Sequence, residues 1–150
     1  MKNYYTARTG NYVMIRIGNQ QNRIFKISEI SQEKGFCCVD FEGNGAYYLQ
    51  RDLMHIPIID DVLYACCFSP IRPFNPWIDR CYILVIDNNN YLLAEAGERS
   101  SSYSISHNHN GQINTYKVTA FHALQNLYSD LFNKDLYIRV DFLKKKSEMQ

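Results

Sequence analysis

Four histidines and five cysteines hold most of the reactive potential of this 150-residue chain. His107 and His109 are the one tight histidine pair. Two positions apart on a strand they would share a face, and with a third ligand they would hold a metal ion. They sit in the run His107-Asn108-His109-Asn110-Gly111, where exposed turn residues are the plainer reading. His122 is expected on the polar side of a helix, as a surface residue and not a general base. His55 precedes Ile56-Pro57 and offers nothing specific. The cysteines Cys37, Cys38, Cys66, Cys67 and Cys81 are odd in number and include two adjacent pairs. Neighbours on a strand point to opposite faces, so they read as reduced, mostly buried thiols of a reducing cytosol. Nothing local selects a Cys–His nucleophile pair. Asp60-Asp61 is better explained as the acidic first turn of a helix than as a catalytic carboxylate pair. Gly-rich phosphate loops, paired Cys-x-x-Cys motifs, a His-Glu-x-x-His helix and a Gly-x-Ser-x-Gly elbow are all missing from the sequence. The expectation is a protein without a catalytic centre, cofactor or metal.

Binding features stand out more. Residues 69–77 hold three of the four prolines and carry Arg72, Phe74 and Trp77, with Arg80 just beyond. Arginine and aromatic residues dominate contact hot spots and stack on unpaired bases. Lys144, Lys145 and Lys146 could touch a phosphate backbone. These seven residues form the candidate contact surface. The plainer readings are that Phe74 and Trp77 pin the connector to the core, and that the lysines belong to a solvated, frayed end.

The elements that must position these residues follow from composition and period. The length suits a single domain, and 46% hydrophobic with 21% charged residues is ordinary for a globular chain. A net charge of +1 does not suit a polyanion-coating protein. No apolar run approaches the ~18 residues of a membrane span, and the first residues lack the apolar core of a signal peptide. Twelve Tyr and eight Phe favour strands.

Segments 11–17, 23–30, 36–41 and 46–50 read as four short strands, the last two joined by Glu42-Gly43-Asn44-Gly45. Their ten-residue spacing suggests a small SH3-like barrel. Residues 60–68 fit a short helix capped by Asp60. The Pro-rich stretch 69–77 reads as irregular, and as the hinge between two halves. Residues 81–87 are almost wholly apolar, so this strand is expected at the centre of its sheet. It pairs back with 91–95. Residues 99–111 read as a polar exposed loop or long hairpin tip, and 113–118 as one more strand. From Thr119, the expected cap, Phe121, Leu124, Leu127, Tyr128, Leu131 and Phe132 recur at helical spacing. Residues 136–142 alternate strictly and predict a final strand. The expected fold is therefore α+β: an antiparallel barrel-like half (1–55), a short helix, the connector (69–77), an antiparallel sheet packed by one amphipathic helix (78–143), and a basic tail (144–150).

The last helix, His122-Ala123-Leu124-Gln125-Asn126-Leu127-Tyr128, followed by Leu131 and Asp135-Leu136-Tyr137-Ile138, resembles a segment of small uncharacterised proteins of Bacteroidetes phages and prophages. Gly10-Asn11-Tyr12-Val13, Lys26-Ile27-Ser28-Glu29-Ile30, Ile56-Pro57-Ile58 and Cys66-Cys67-Phe68 resemble further segments of those proteins, in the same order. Residues 69–77 and 98–111 depart from them. The resemblance carries no established activity. With the empty catalytic inventory it implies a cytoplasmic accessory protein of a bacterial host that binds a macromolecule. One concrete form is an anti-defence inhibitor of a CRISPR effector or its guide RNA complex, a ribonucleoprotein nuclease. A nucleic-acid or small-ligand binding module is the alternative, with RNA contact through Arg72, Trp77 and the lysines.

Overall fold

Apolar residues alternate with polar ones along the first fifty residues, and in the computed structural model these positions form strands. The structure describes residues 3–18, 21–97 and 102–148. Part of the expected polar segment (98–101), part of the first turn (19–20) and both chain ends lie outside the described residues. The α+β class and the antiparallel pairing stand as expected. Among the described residues no helix is long and apolar enough to cross a membrane.

The chain divides into two units, one of residues up to Pro57 together with those from Ala120 onward, the other Ile58–Thr119. The second is an insertion into the first. The chain leaves the first unit at Pro57 and returns at Ala120, and these two residues form an antiparallel bridge.

In the first unit, β1 (Tyr12–Ile17), β2 (Gln21–Ser31), β3 (Gly35–Val39), β4 (Gly45–Tyr48) and β5 (Leu53–Met54) form one antiparallel sheet in the order β4-β3-β2-β1-β5. Val13, Ile15, Phe25, Ile27 and Cys38 are buried as one cluster on it. Tyr48 from one edge strand and Leu53 from the other both pack against that cluster. The expected SH3-like barrel does not close: β4 and β5 are the two edges of the sheet and do not pair. The β2–β3 turn depends on Gly35, whose φ is +94° and whose absent Cβ would fall 2.4 Å from the Tyr48 carbonyl oxygen.

Helix α2 (Phe121–Phe132) and helix α3 (Val140–Glu148) belong to this first unit. The expectation had placed the amphipathic helix on the second sheet. Its apolar stripe forms as read, with Phe121, Leu124, Leu127 and Tyr128 buried. Ala120 and not Thr119 stands at its N-cap, without a side-chain cap bond. The expected strand 136–142 does not form. Residues 135–139 form neither helix nor strand, with Leu136 and Ile138 buried and Tyr137 exposed, and 140–142 open helix α3. Alternating burial along a surface does not require a ladder, so period two by itself did not specify a strand. The expected frayed tail is mostly helix α3, anchored by Leu143 and Ser147, both buried one turn apart. Ser147 Oγ accepts the Ile24 backbone N–H at 2.9 Å.

In the second unit, α1 (Asp60–Ala65) precedes β6 (Ser69–Pro70), β7 (Arg80–Asp87), β8 (Asn90–Ala96), β9 (Tyr103–His109) and β10 (Gln112–Val118), paired in that order across one antiparallel sheet. Helix α1 is shorter than expected. It ends in a Schellman motif, with Cys67 at φ 70° and the Phe68 N–H bonded to the Leu63 carbonyl. Strand β7 is not central: β6 covers it only at Tyr82 and Ile83, and Val85 is exposed. The expected polar loop is strand β9, paired with β10 along its whole length. Its turn is Asn110-Gly111, both at positive φ, the two-residue hairpin signature. Serine and asparagine weigh towards loops, and that masked the alternation of buried Tyr103, Ile105 and His107.

Candidate functional site

The Pro-rich stretch is not a hinge. It lies wholly inside the second unit as the β6–β7 loop, and its backbone is pinned at both ends. The Ile71 N–H donates to the Cys81 carbonyl at 2.9 Å, and the Asp79 N–H to the Ala96 carbonyl at 2.9 Å. Between them Asn75 Oδ1 accepts the Trp77 N–H at 2.7 Å, and the Asn75 carbonyl accepts the Ile78 N–H at 3.1 Å. This is an Asx turn, and Pro70, Pro73 and Pro76 fix φ around it. Gly97 admits the close approach, since a Cβ there would sit 3.3 Å from the Trp77 carbonyl oxygen.

The side chains go the other way. Phe74 is 79% and Trp77 81% exposed, so the reading that they pin the loop to the core is overturned. The backbone bonds do the pinning and the rings are left out. Arg72 is exposed beside them. Arg80 is occupied within its own unit: its guanidinium lies 5.2 Å from the centre of the Tyr103 ring and 3.5 Å from Asp60 Oδ1. Of the four expected contact residues on this stretch, Arg72, Phe74 and Trp77 remain available.

Lys144, Lys145 and Lys146 stand on α3 in the other unit. Lys144 and Lys145 are exposed and Lys146 is half-buried. Lys144 shares a shallow recess with Arg23, Asp40 and Glu42, so its surroundings carry both signs. Three consecutive helical residues also spread over more than half the helix circumference.

Asp60, expected as a helix cap, instead holds a polar cluster. Its carboxylate accepts the Tyr103 hydroxyl at 2.5 Å. Burial alone would raise its pKa, but hydrogen bonds from Tyr103 and Tyr82 and the charge of Arg80 outweigh that and hold it below the usual carboxylate value. Burial, with the same carboxylate next, pushes both tyrosines well above theirs. They are hydrogen-bond donors and not bases at neutral pH.

All five cysteines are free thiols, three of them buried. Burial pushes Cys66 up to about 12 and Cys38 up to about 11, with the adjacent cysteine adding to each. A thiol at such a value is not a nucleophile at neutral pH. Among the described residues no group of three or more His, Cys, Asp or Glu is gathered as for a metal ion. His107, expected exposed, is buried on the inner face of β9, where Nε2 lies 2.6 Å from Asn90 Oδ1.

The sequence reading missed the polar side of α2. His122 and Asn126 are 2% and 3% exposed, and they strap the chain's first residues to the helix. His122 Nε2 lies 2.8 Å from the Tyr5 carbonyl oxygen. The Asn126 amide donates to the Tyr4 and Thr6 carbonyls at 2.9 Å each, and its oxygen accepts Asn11 Nδ2 at 2.7 Å. Gln125 accepts the Tyr12 N–H at 2.9 Å, and Asp130 binds Arg8 through both oxygens at 2.7 and 3.0 Å. The motif His122-x-Leu124-Gln125-Asn126 is thus a clamp, and Gly10-Asn11 is part of what it holds. Beside the strap are two adjoining recesses of 290 and 610 Å³, both lined by Thr9, Gly10, Tyr12, Lys26 and Asp135.

Comparison of the chain with protein-family models, with curated proteins and with solved structures finds no match.

Proposed function

We propose that this protein acts without catalysis, by docking a protein partner through the β6–β7 loop. One observation carries the reading. Its single Trp and a Phe stand almost fully in solvent on a loop whose backbone is hydrogen-bonded and Pro-stiffened. Exposing such rings is costly unless something covers them. A pre-ordered loop loses little entropy on binding, and aromatic anchors beside an arginine have hot-spot composition. The finer reading is an accessory protein of phage or prophage origin, acting in a bacterial cytoplasm on a host defence complex such as a CRISPR effector. It is supported by the resemblance of the His122–Tyr128 and Gly10–Val13 segments.

The test is inhibition of purified guide-RNA nucleases by the wild-type chain and by the F74A/W77A double variant. The wild type should inhibit, and the variant should do so at least about thirtyfold less well, as loss of two anchors requires. Equal inhibition by both would place the contact elsewhere, and no inhibition of any effector would remove the anti-defence form. The second reading, single-stranded RNA stacked on Trp77 and Phe74 with Arg72 on the phosphates, is favoured by the exposure of all three together. It requires binding that weakens steeply with salt. A small-ligand form would use the recess beside Tyr12, Lys26 and Asp135.

A further inference from the structure

We propose that His55 and His122 together bind one divalent transition-metal ion of the imidazole-preferring class, such as zinc, nickel or copper(II). This goes beyond the docking reading and does not depend on it. His122 Nε2 faces the Tyr5 carbonyl oxygen at 2.8 Å. A carbonyl only accepts, so Nε2 carries the proton and the neutral ring keeps its lone pair on Nδ1. Burial favours that neutral ring over the cation. Nδ1 is itself buried and has no hydrogen-bond partner among the described residues. A buried polar atom left without a partner calls for a physical account. A backbone carbonyl on the far nitrogen is the outer-shell arrangement that metal-binding histidines use to set tautomer and ring orientation.

The second imidazole is close. The His55 and His122 ring centres are 4.8 Å apart. A metal–nitrogen bond of ~2.0–2.1 Å plus the ring radius puts each ring centre about 3.2 Å from a bound ion. Two imidazoles meeting an ion at 90–110° then have centres about 4.5–5.2 Å apart. The observed spacing lies inside that window. The pair singled out in the sequence does not: His107 and His109 are 5.9 Å apart, and Asn90 already occupies His107 Nε2. Two protein ligands leave open positions for water, and His55 is exposed, so the ion would exchange freely. Bound metal polarises the His122 ring and strengthens the Nε2–H bond to Tyr5, which tightens the strap.

The experiment is calorimetric titration of the untagged full chain with zinc chloride, and with copper(II) read by electron paramagnetic resonance. One ion per chain with nitrogen coordination is expected. The H55A variant removes an exposed side chain, so its fold should survive, as circular dichroism would verify. It should bind at least about tenfold more weakly, on the scale by which metal sites respond to altered shells. The H107A/H109A variant should bind as the wild type does. No binding, binding indifferent to H55A, or binding lost in H107A/H109A would each overturn the proposal.

Discussion

The helix α2 clamp of the first unit and the β6–β7 loop of the second invert the usual distribution of residues. In the clamp, His122, Asn126 and Asn11 are turned inward. In the loop, Phe74 and Trp77 are turned outward. Buried polar groups and exposed large apolar ones are the two departures that carry information, and here they point in different directions. Every clamp residue satisfies a backbone group or another clamp residue, so apart from His122 Nδ1 its chemistry is absorbed by the fold. Among the described residues the two rings stay 79% and 81% exposed, which is what the docking proposal builds on.

The largest expected effect breaks the comparison at the clamp. Asn126→Ala removes the donor to the Tyr4 and Thr6 carbonyls and leaves the buried Asn11 Nδ2 without its acceptor. A loss of about 3 kcal/mol is expected in urea denaturation, since orphaned buried polar groups cost ~1–3 kcal/mol each. Trp77→Ala, by contrast, should change stability by less than about 0.5 kcal/mol. A destabilised Trp77→Ala would show the ring to be structural and collapse the contrast.

The next effect concerns Asp60, which faces Arg80, Tyr82 and Tyr103. Its folded-state pKa lies below the usual value of 3.8. Its contribution is therefore fully present above about pH 4 and is lost as pH falls from there through the folded value. The two tyrosines are raised, so theirs is present below about pH 10 and is lost as pH rises beyond it. Asp60→Asn should flatten the acid limb of unfolding measured at several pH values. The effect should stay within about 1 kcal/mol, because the carboxylate is partly solvated. An unchanged limb would show that the cluster is not coupled to folding.

The smallest effect sharpens the picture of the second unit. Cys67 holds a left-handed conformation at φ 70° without being glycine. Cys67→Gly relieves ~1–2 kcal/mol of that strain and adds back most of it as unfolded-chain entropy. A net gain of about 0.5 kcal/mol in thermal unfolding is expected.

Much of the fold was legible, because periodicity is local. The strands around Val13, Phe25, Cys38 and Ile83 and the apolar stripe of α2 follow from which residues recur at two or at three and four. The Asn110-Gly111 turn was legible too, and was outweighed by the serines before it. The candidate contact residues could be named from type alone, but their availability could not. Arg80 is spent on Asp60 and Tyr103, while the Trp77 ring stands almost wholly exposed.

By itself the sequence determined the first sheet's main strands, the helix α2 and its apolar face, and which segment is rich in proline and aromatic anchors. The tertiary structure alone decided that the connector is a pinned loop, that 58–119 is an insertion, and that the polar side of α2 is interior. The physical reason is distance along the chain. Asn11 and Asn126, or Arg8 and Asp130, meet across more than a hundred intervening residues, and a pattern read over a few neighbours holds no record of such a meeting.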